Sequence, residues 1–100
     1  VFLGFLPRGG GKRRKALLSA AALERTLVVY ESPYRVVEML ADAEAALGAS
    51  AQAAVCRELT KLHEEWLTGT VAEVRGTLAA RAEILGEFVV VLHPRAKPGP

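Results

Sequence analysis

The side chains most able to do chemistry fall in two short segments, Tyr30-Glu31-Ser32-Pro33-Tyr34-Arg35 and Arg57-Glu58-Leu59-Thr60-Lys61. Each follows a run of apolar residues with strand character. Each should therefore sit at the carboxyl end of a strand, where helix N-termini and free backbone N–H groups converge in α/β sheets. If the two strands are neighbours, about 4.8 Å apart, Glu31 and Glu58 lie side by side with Arg35, Arg57 and Lys61 around them. Paired carboxylates can share a proton or divide acid and base work, but flanking cations keep both ionised. Orientation of a ligand is then the chemistry expected of Glu31 and Glu58. Ion pairs that merely close the sheet end would use the same residue types, and spacing alone leaves both readings open.

A second concentration of charge precedes the first acid of the chain, Glu24: Arg8, Lys12, Arg13, Arg14 and Lys15. Positive charge at a helix start opposes the macrodipole, so it calls for another explanation than helix stability. RNA phosphates supply one, each well-formed contact adding about 0.7 to 0.9 to the salt slope of binding, and a solvated helix start is the alternative. Gly9-Gly10-Gly11 is not a nucleotide loop, because Leu6 stands where a Walker pattern needs glycine and Arg13 where it needs Ser or Thr. A mobile, lid-like turn is expected there. His63 and His93 are far apart, and HEEWL lacks the second histidine of a zinc-protease helix, so no metal site is expected. Tyr34 could stack on an unpaired base, whereas Trp66, in a strand, reads as core or interface. Cys56, the only cysteine, reads as a small buried apolar residue.

The elements that must position these groups follow from apolar periodicity. With 100 residues and 51% hydrophobic content, one core and one domain are expected. Strands are expected at 1–6, 26–30, 53–57, 65–69 and 87–92, and helices over 12–24, from Ser32 and Pro33 to Leu47, and from the capping box Thr70-Val71-Ala72-Glu73 to about Ala82. Ser32 suits the N-cap and Pro33 the first helical position, with Gly48 just past the helix end. Residues 59–64 read as a loop. The second strand is almost wholly apolar, as if covered on both faces. Two strands joined by a helix should be parallel. The fold class read from this order is α/β, a mixed, mainly parallel sheet of about five strands with helices packed on it. The chain opens at Val1 on an apolar stretch, which looks like a cut inside a longer protein. No secretory signal and no run near the roughly 18 residues of a membrane span is present, so a cytoplasmic protein is expected.

Taken together and in order, FLPRGGGKRRKAL, LVVYESPYR, CRELTKLHEEWLTGT and LGEFVVVL resemble the C-terminal domain of the ribosomal RNA small subunit methyltransferase I family, in the tetrapyrrole (corrin/porphyrin) methylase superfamily. The likeness runs from about Phe2 to Leu92. It implies a two-domain α/β enzyme, usually a homodimer, that binds S-adenosylmethionine between its domains. The activity implied is methylation of a cytidine ribose 2′-hydroxyl in 16S ribosomal RNA. Residues 1–93 then form the substrate-side domain and 94–100 a tail, while the N-terminal domain, which carries most cofactor glycines, is absent and the fragment alone inactive. The resemblance places Glu31, Ser32, Pro33 and Arg35 of the first segment, and Arg57, Glu58, Thr60 and Lys61 of the second, at the substrate and cofactor site, with Arg8 and residues 12–15 as RNA contacts. Tyr34 replaces a histidine common in the family and Leu85 a lysine, which removes a histidine base and one phosphate contact. Two other functions fit less of the pattern. A corrin or porphyrin C-methyltransferase would not need the basic cluster, and a non-catalytic RNA-binding or dimerisation module predicts that fusing this chain to a cofactor-binding domain restores no methyl transfer.

Overall fold

The protein is described by a computed structural model covering residues 1–60 and 63–94, without the side chains of residues 59, 60 and 63. In chain order the elements are β1 (Phe2–Phe5), α1 (Gly10–Ala21), β2 (Leu27–Glu31), α2 (Val36–Leu47), β3 (Gln52–Thr60), β4 (His63–Thr70), α3 (Val71–Ala79) and β5 (Glu87–His93). They form one five-stranded sheet in the order β1-β2-β5-β3-β4.

The expected α/β class and five strands are present, but the mainly parallel sheet is not. Only β1 and β2 pair in parallel; β2 with β5, β5 with β3 and β3 with β4 are antiparallel. The reason is topological. β3 and β4, consecutive in the chain, pair antiparallel, and the last strand returns into the gap between β2 and β3. β2 and β3 thus run in the same direction but do not touch. Residues 59, 60, 63 and 64 of the expected loop instead belong to β3 and β4, with Thr60 opposite His63. Lys61, Leu62 and residues 95–100 of the expected tail lie outside the described residues.

All three helices serve one core. Leu27 and Val29 of β2, Phe88, Val90 and Leu92 of β5, and Ala53 and Val55 of β3 are buried in a single cluster with Leu17 of α1, Met39 and Leu40 of α2, and Val74 and Leu78 of α3. The alternate residues, among them Val28, Tyr30, Val89, Cys56 and Trp66, remain partly or fully exposed on the other face. The second strand is therefore covered on one face only. Its unbroken apolar run reflects β-branched strand preference rather than two covering layers. On that open face the rings of Phe2 and Phe5 meet Tyr30 edge to face at 5.2 and 5.7 Å.

Local signals fared unevenly. The capping box is complete: Glu73 N–H donates to the Thr70 hydroxyl at 3.1 Å and Thr70 N–H to the Glu73 carboxylate at 3.2 Å. Gly48 ends α2 with φ 96°, in the region that favours glycine. α2 begins later than expected, however. The Ser32 carbonyl accepts from the N–H groups of both Arg35 (3.1 Å) and Val36 (3.0 Å), so a turn occupies residues 33–35 and the Ser32 hydroxyl caps nothing. No helix among the described residues is long and apolar enough to cross a membrane.

Candidate functional site

The carboxyl ends of β2 and β3 and the amino end of β5 lie at the same end of the sheet. There a cavity of about 830 Å³ is lined by residues 32–34, Glu58 and residues 81–87. Both charged segments reach it, but not as neighbours. β5 stands between them, with Glu31 opposite Phe88 and Phe88 opposite Arg57, so the two strands are about 9 to 10 Å apart.

Side-chain alternation then separates the expected carboxylate pair. Glu31 is only 3% exposed, on the helix-covered face, and accepts a 2.9 Å hydrogen bond from Ser32 N–H. It fixes the turn that carries Ser32, Pro33 and Tyr34, and it does not line the cavity. Glu58 is exposed on the open face, directly across from Glu87 on one side and Glu64 on the other. Its cross-strand neighbours are thus carboxylates, while Lys61, one of the cations expected around it, lies outside the described residues. Like charges in such a row repel, which leaves these groups poised for cations or hydroxyl donors.

Arg57 is likewise corrected. It shares the helix-side row, where its Nε lies 3.1 Å from Glu65, and Arg81 grips the same carboxylate in bidentate fashion at 2.7 and 2.9 Å. The hydrogen bonds from Arg81, followed after the opposing cost of burial by the charges of Arg81 and Arg57, hold the Glu65 carboxyl below the usual carboxylate range. The Arg81 guanidinium is raised in turn, chiefly by Glu65. Because Arg81 begins the segment that walls the cavity, Glu65 ties that wall to β4. Sequence reading missed both residues: the acids of HEEWL were weighed as metal chemistry, and nothing local joins them to an arginine sixteen positions on.

Of the other expected site residues, Tyr34 is 93% exposed at the cavity rim and Leu85 lines it half-exposed. The Thr60 side chain and all of Lys61 lie outside the described residues. Arg35 faces a second cavity of about 410 Å³, lined by Phe5, Leu6, Arg8, Ser32, Arg35 and Glu87.

The basic cluster divides. Lys12 and Lys15 are exposed, but Arg13, expected as an RNA contact, is 1% exposed. Its guanidinium lies 2.7 Å from Asp42 and 3.3 Å from Glu38, and donates to the Arg8 carbonyl at 2.9 Å. Burial opposes its charge, yet hydrogen bonding to Asp42 and Glu38 outweighs that and raises its pKa above the ordinary arginine value. Arg13 therefore fastens α1 to α2. Arg14 adds a 3.1 Å contact to Asp42 while half of it remains in solvent. Cys56, expected buried, is half-buried, and burial together with Glu64 and Glu58 pushes its thiol pKa up. Among the described residues no three potential metal ligands come together.

The chain superimposes on the X-ray structure of a cobalamin biosynthetic enzyme, cobalt precorrin-4 methyltransferase, with a TM-score of 0.63 and 12% identity, over 91% of this chain and 39% of that one. No family model matches. By sequence the chain is homologous to ribosomal RNA small subunit methyltransferase I. It is 45% identical to that protein of Mycobacterium tuberculosis (strain ATCC 25618 / H37Rv) over 91 residues, which is 91% of this chain and 31% of the relative. It is 43% identical over 92 residues to the one from Halalkalibacterium halodurans and 40% over 92 to the one from Bacillus subtilis, each time 92% of this chain and 31% of the relative. The chain thus spans about a third of the length of these relatives.

Proposed function

We propose that this chain is the C-terminal, substrate-side domain of an S-adenosylmethionine-dependent methyltransferase that acts on small-subunit ribosomal RNA, with a cytidine ribose 2′-hydroxyl of 16S RNA as acceptor. The observation that carries the site is the meeting of the Ser32 turn, Glu58 and the 81–87 wall around one cavity of about 830 Å³. That size suits a drug-sized or nucleotide-sized ligand. The sequence likeness at 45% identity over 91 residues supports the reaction class.

The groups present fit the cofactor's chemistry. Glu58 and Glu87 carry carboxylates on the cavity wall that make no ion pair among the described residues, and S-adenosylmethionine presents an ammonium, a sulfonium and ribose hydroxyls. When bound, the cofactor supplies the methyl group. The chain's own part is to hold the acceptor. In this reading Glu58 accepts a hydrogen bond from a ribose hydroxyl and orients it, since in-line geometry supplies much of the acceleration for such a transfer. Glu31 keeps the Ser32 turn in place, Glu65 holds Arg81 on the wall, and Tyr34 offers an exposed ring to a base. The remaining cofactor contacts come from a preceding domain, and the working unit is a cytoplasmic homodimer.

The test is transfer of labelled methyl groups to small-subunit ribosomal RNA by the protein in its full natural length. Glu58→Gln should lower kcat/KM about 100-fold without moving the unfolding transition. Wild-type rates in that variant would remove Glu58 from the site, and no transfer to ribosomal RNA by the unmodified protein would remove the function.

A further inference from the structure

We infer that the smaller cavity is a subsite for a nucleotide flanking the methylated one, with its phosphate between Arg8 and Arg35 and its base against Phe5. This rests on the function proposed above and extends it along the RNA strand. The two cavities are continuous in their walls: Ser32 and Glu87 line both. The smaller one, at about 410 Å³, is large enough for a single nucleotide unit.

Its charges are uncommitted. Arg13, Arg14, Arg57, Arg75 and Arg81 all engage carboxylates, whereas Arg8 and Arg35 make no ion pair among the described residues, although Glu87 shares their cavity. Two guanidiniums with one carboxylate suit an anion that also carries a hydroxyl, which is what a phosphodiester and its ribose provide. Both cations stand on anchored backbone. The Arg8 carbonyl accepts from the buried Arg13 guanidinium at 2.9 Å, and Arg35 N–H donates to the Ser32 carbonyl at 3.1 Å. Arg13 thus serves RNA indirectly, by fixing the residue that touches it.

Phe5 is 66% exposed at the same cavity, with its ring held edge to face against Tyr30 at 5.7 Å. An exposed, oriented ring beside two cations is the arrangement on which single-stranded bases stack. The Ser32 hydroxyl adds a further group: it is buried in the shared wall with no hydrogen-bond partner.

Binding of a single-stranded RNA oligonucleotide spanning the methylated position of the small-subunit RNA, measured on the full natural-length protein over a range of salt, tests this. Arg8→Gln and Arg35→Gln should each weaken binding and lower the salt slope by about 0.7, as loss of one phosphate contact requires. Phe5→Ala should weaken binding about tenfold with the slope unchanged. Arg8→Lys and Arg35→Lys should restore the slope, which a folding defect would not allow. Wild-type affinity and slope in the two glutamine variants, while the unmodified protein still methylates, would overturn the subsite alone. Weaker binding with an unchanged slope in those variants would also overturn it. An unmodified protein that neither binds the oligonucleotide nor transfers methyl to it would overturn the subsite and the proposed function together.

Discussion

Arg8 and Arg13 belong to one basic run and end in opposite conditions. Arg13 is buried between α1 and α2 against Asp42, while Arg8 stands exposed at a cavity without an ion pair among the described residues. The difference follows from helical phase. Arg13 recurs with Leu17 and Ala20 at spacings of four and three, the buried stripe of α1, whereas Arg8 precedes the helix. Asp42 is the matching exception on α2, a buried acid among Val36, Met39, Leu40 and Ala43. Two misplaced charges on two facing apolar stripes answer each other. A buried guanidinium must be paired because desolvation would otherwise expel it, so charge inside the fold reports structure. Charge left unpaired at a cavity is free to meet a ligand.

The largest expected effect tests the structural side of that contrast. Asp42→Ala leaves the buried Arg13 with only the exposed Glu38 as carboxylate partner and should cost about 3 kcal/mol in urea unfolding. Replacing both partners, Arg13→Met with Asp42→Leu, should recover most of that loss, because the penalty lies in a buried charge deprived of its buried partner rather than in the missing contact. A cost below about 1 kcal/mol for Asp42→Ala, the range of exposed pairs, would mean that the two arginines do not differ in kind.

Helical phase also separates what the sequence makes legible from what it does not. The pairing of Arg13 with Asp42 is readable from the sequence, since both interrupt apolar stripes, although the clustering of Arg8 with residues 12–15 masks it. Strand positions and the Thr70 capping box were readable because they depend on residues a few positions apart. The sheet order was not. That β5 returns between β2 and β3 depends on contacts across the whole chain, and with it went the expected neighbourhood of Glu31 and Glu58. Even with the right order, strand alternation decides which face each acid takes, and one residue of register moves it to the other. The convergence of the two charged segments at one sheet end was legible, because both follow strands that run in the same direction. The wall built from Arg81 and Glu65 was not.

That cluster lies between the two extremes of the comparison and should give an intermediate effect. Glu65 is about a third exposed, so Glu65→Gln should cost no more than about 1 kcal/mol at neutral pH. The pH dependence has a definite sign. A carboxyl whose folded pKa is depressed contributes stability above its unfolded pKa and loses it as pH falls through the folded value. The gap in urea midpoint between the parent and Glu65→Gln should therefore be full at pH 7, shrink as the solution is acidified below the ordinary carboxylate value, and close once Glu65 is protonated in the folded state. A gap that does not change with pH would mean that the Arg81 and Arg57 contacts contribute through shape rather than charge.

The smallest expected effect carries the other side of the contrast. If Arg8 and Arg35 hold their charge for a ligand, removing it should leave the fold nearly untouched: Arg8→Gln and Arg35→Gln should each shift unfolding free energy by no more than about 0.5 kcal/mol in the absence of RNA. Arg35 is the sharper case, because its backbone closes the turn before α2 while its side chain is half-buried. Glutamine keeps the backbone bonds and the first carbons of the stem, so the test falls on the guanidinium, its charge and its donors together. Stability that falls as far as in Asp42→Ala would mark these arginines as structural too, and the difference between buried and cavity charge on which the site rests would disappear. Stability that holds while the salt slope of RNA binding drops would assign the charge of Arg8 and Arg35 to the ligand, and leave Arg13 as the residue that keeps Arg8 in position.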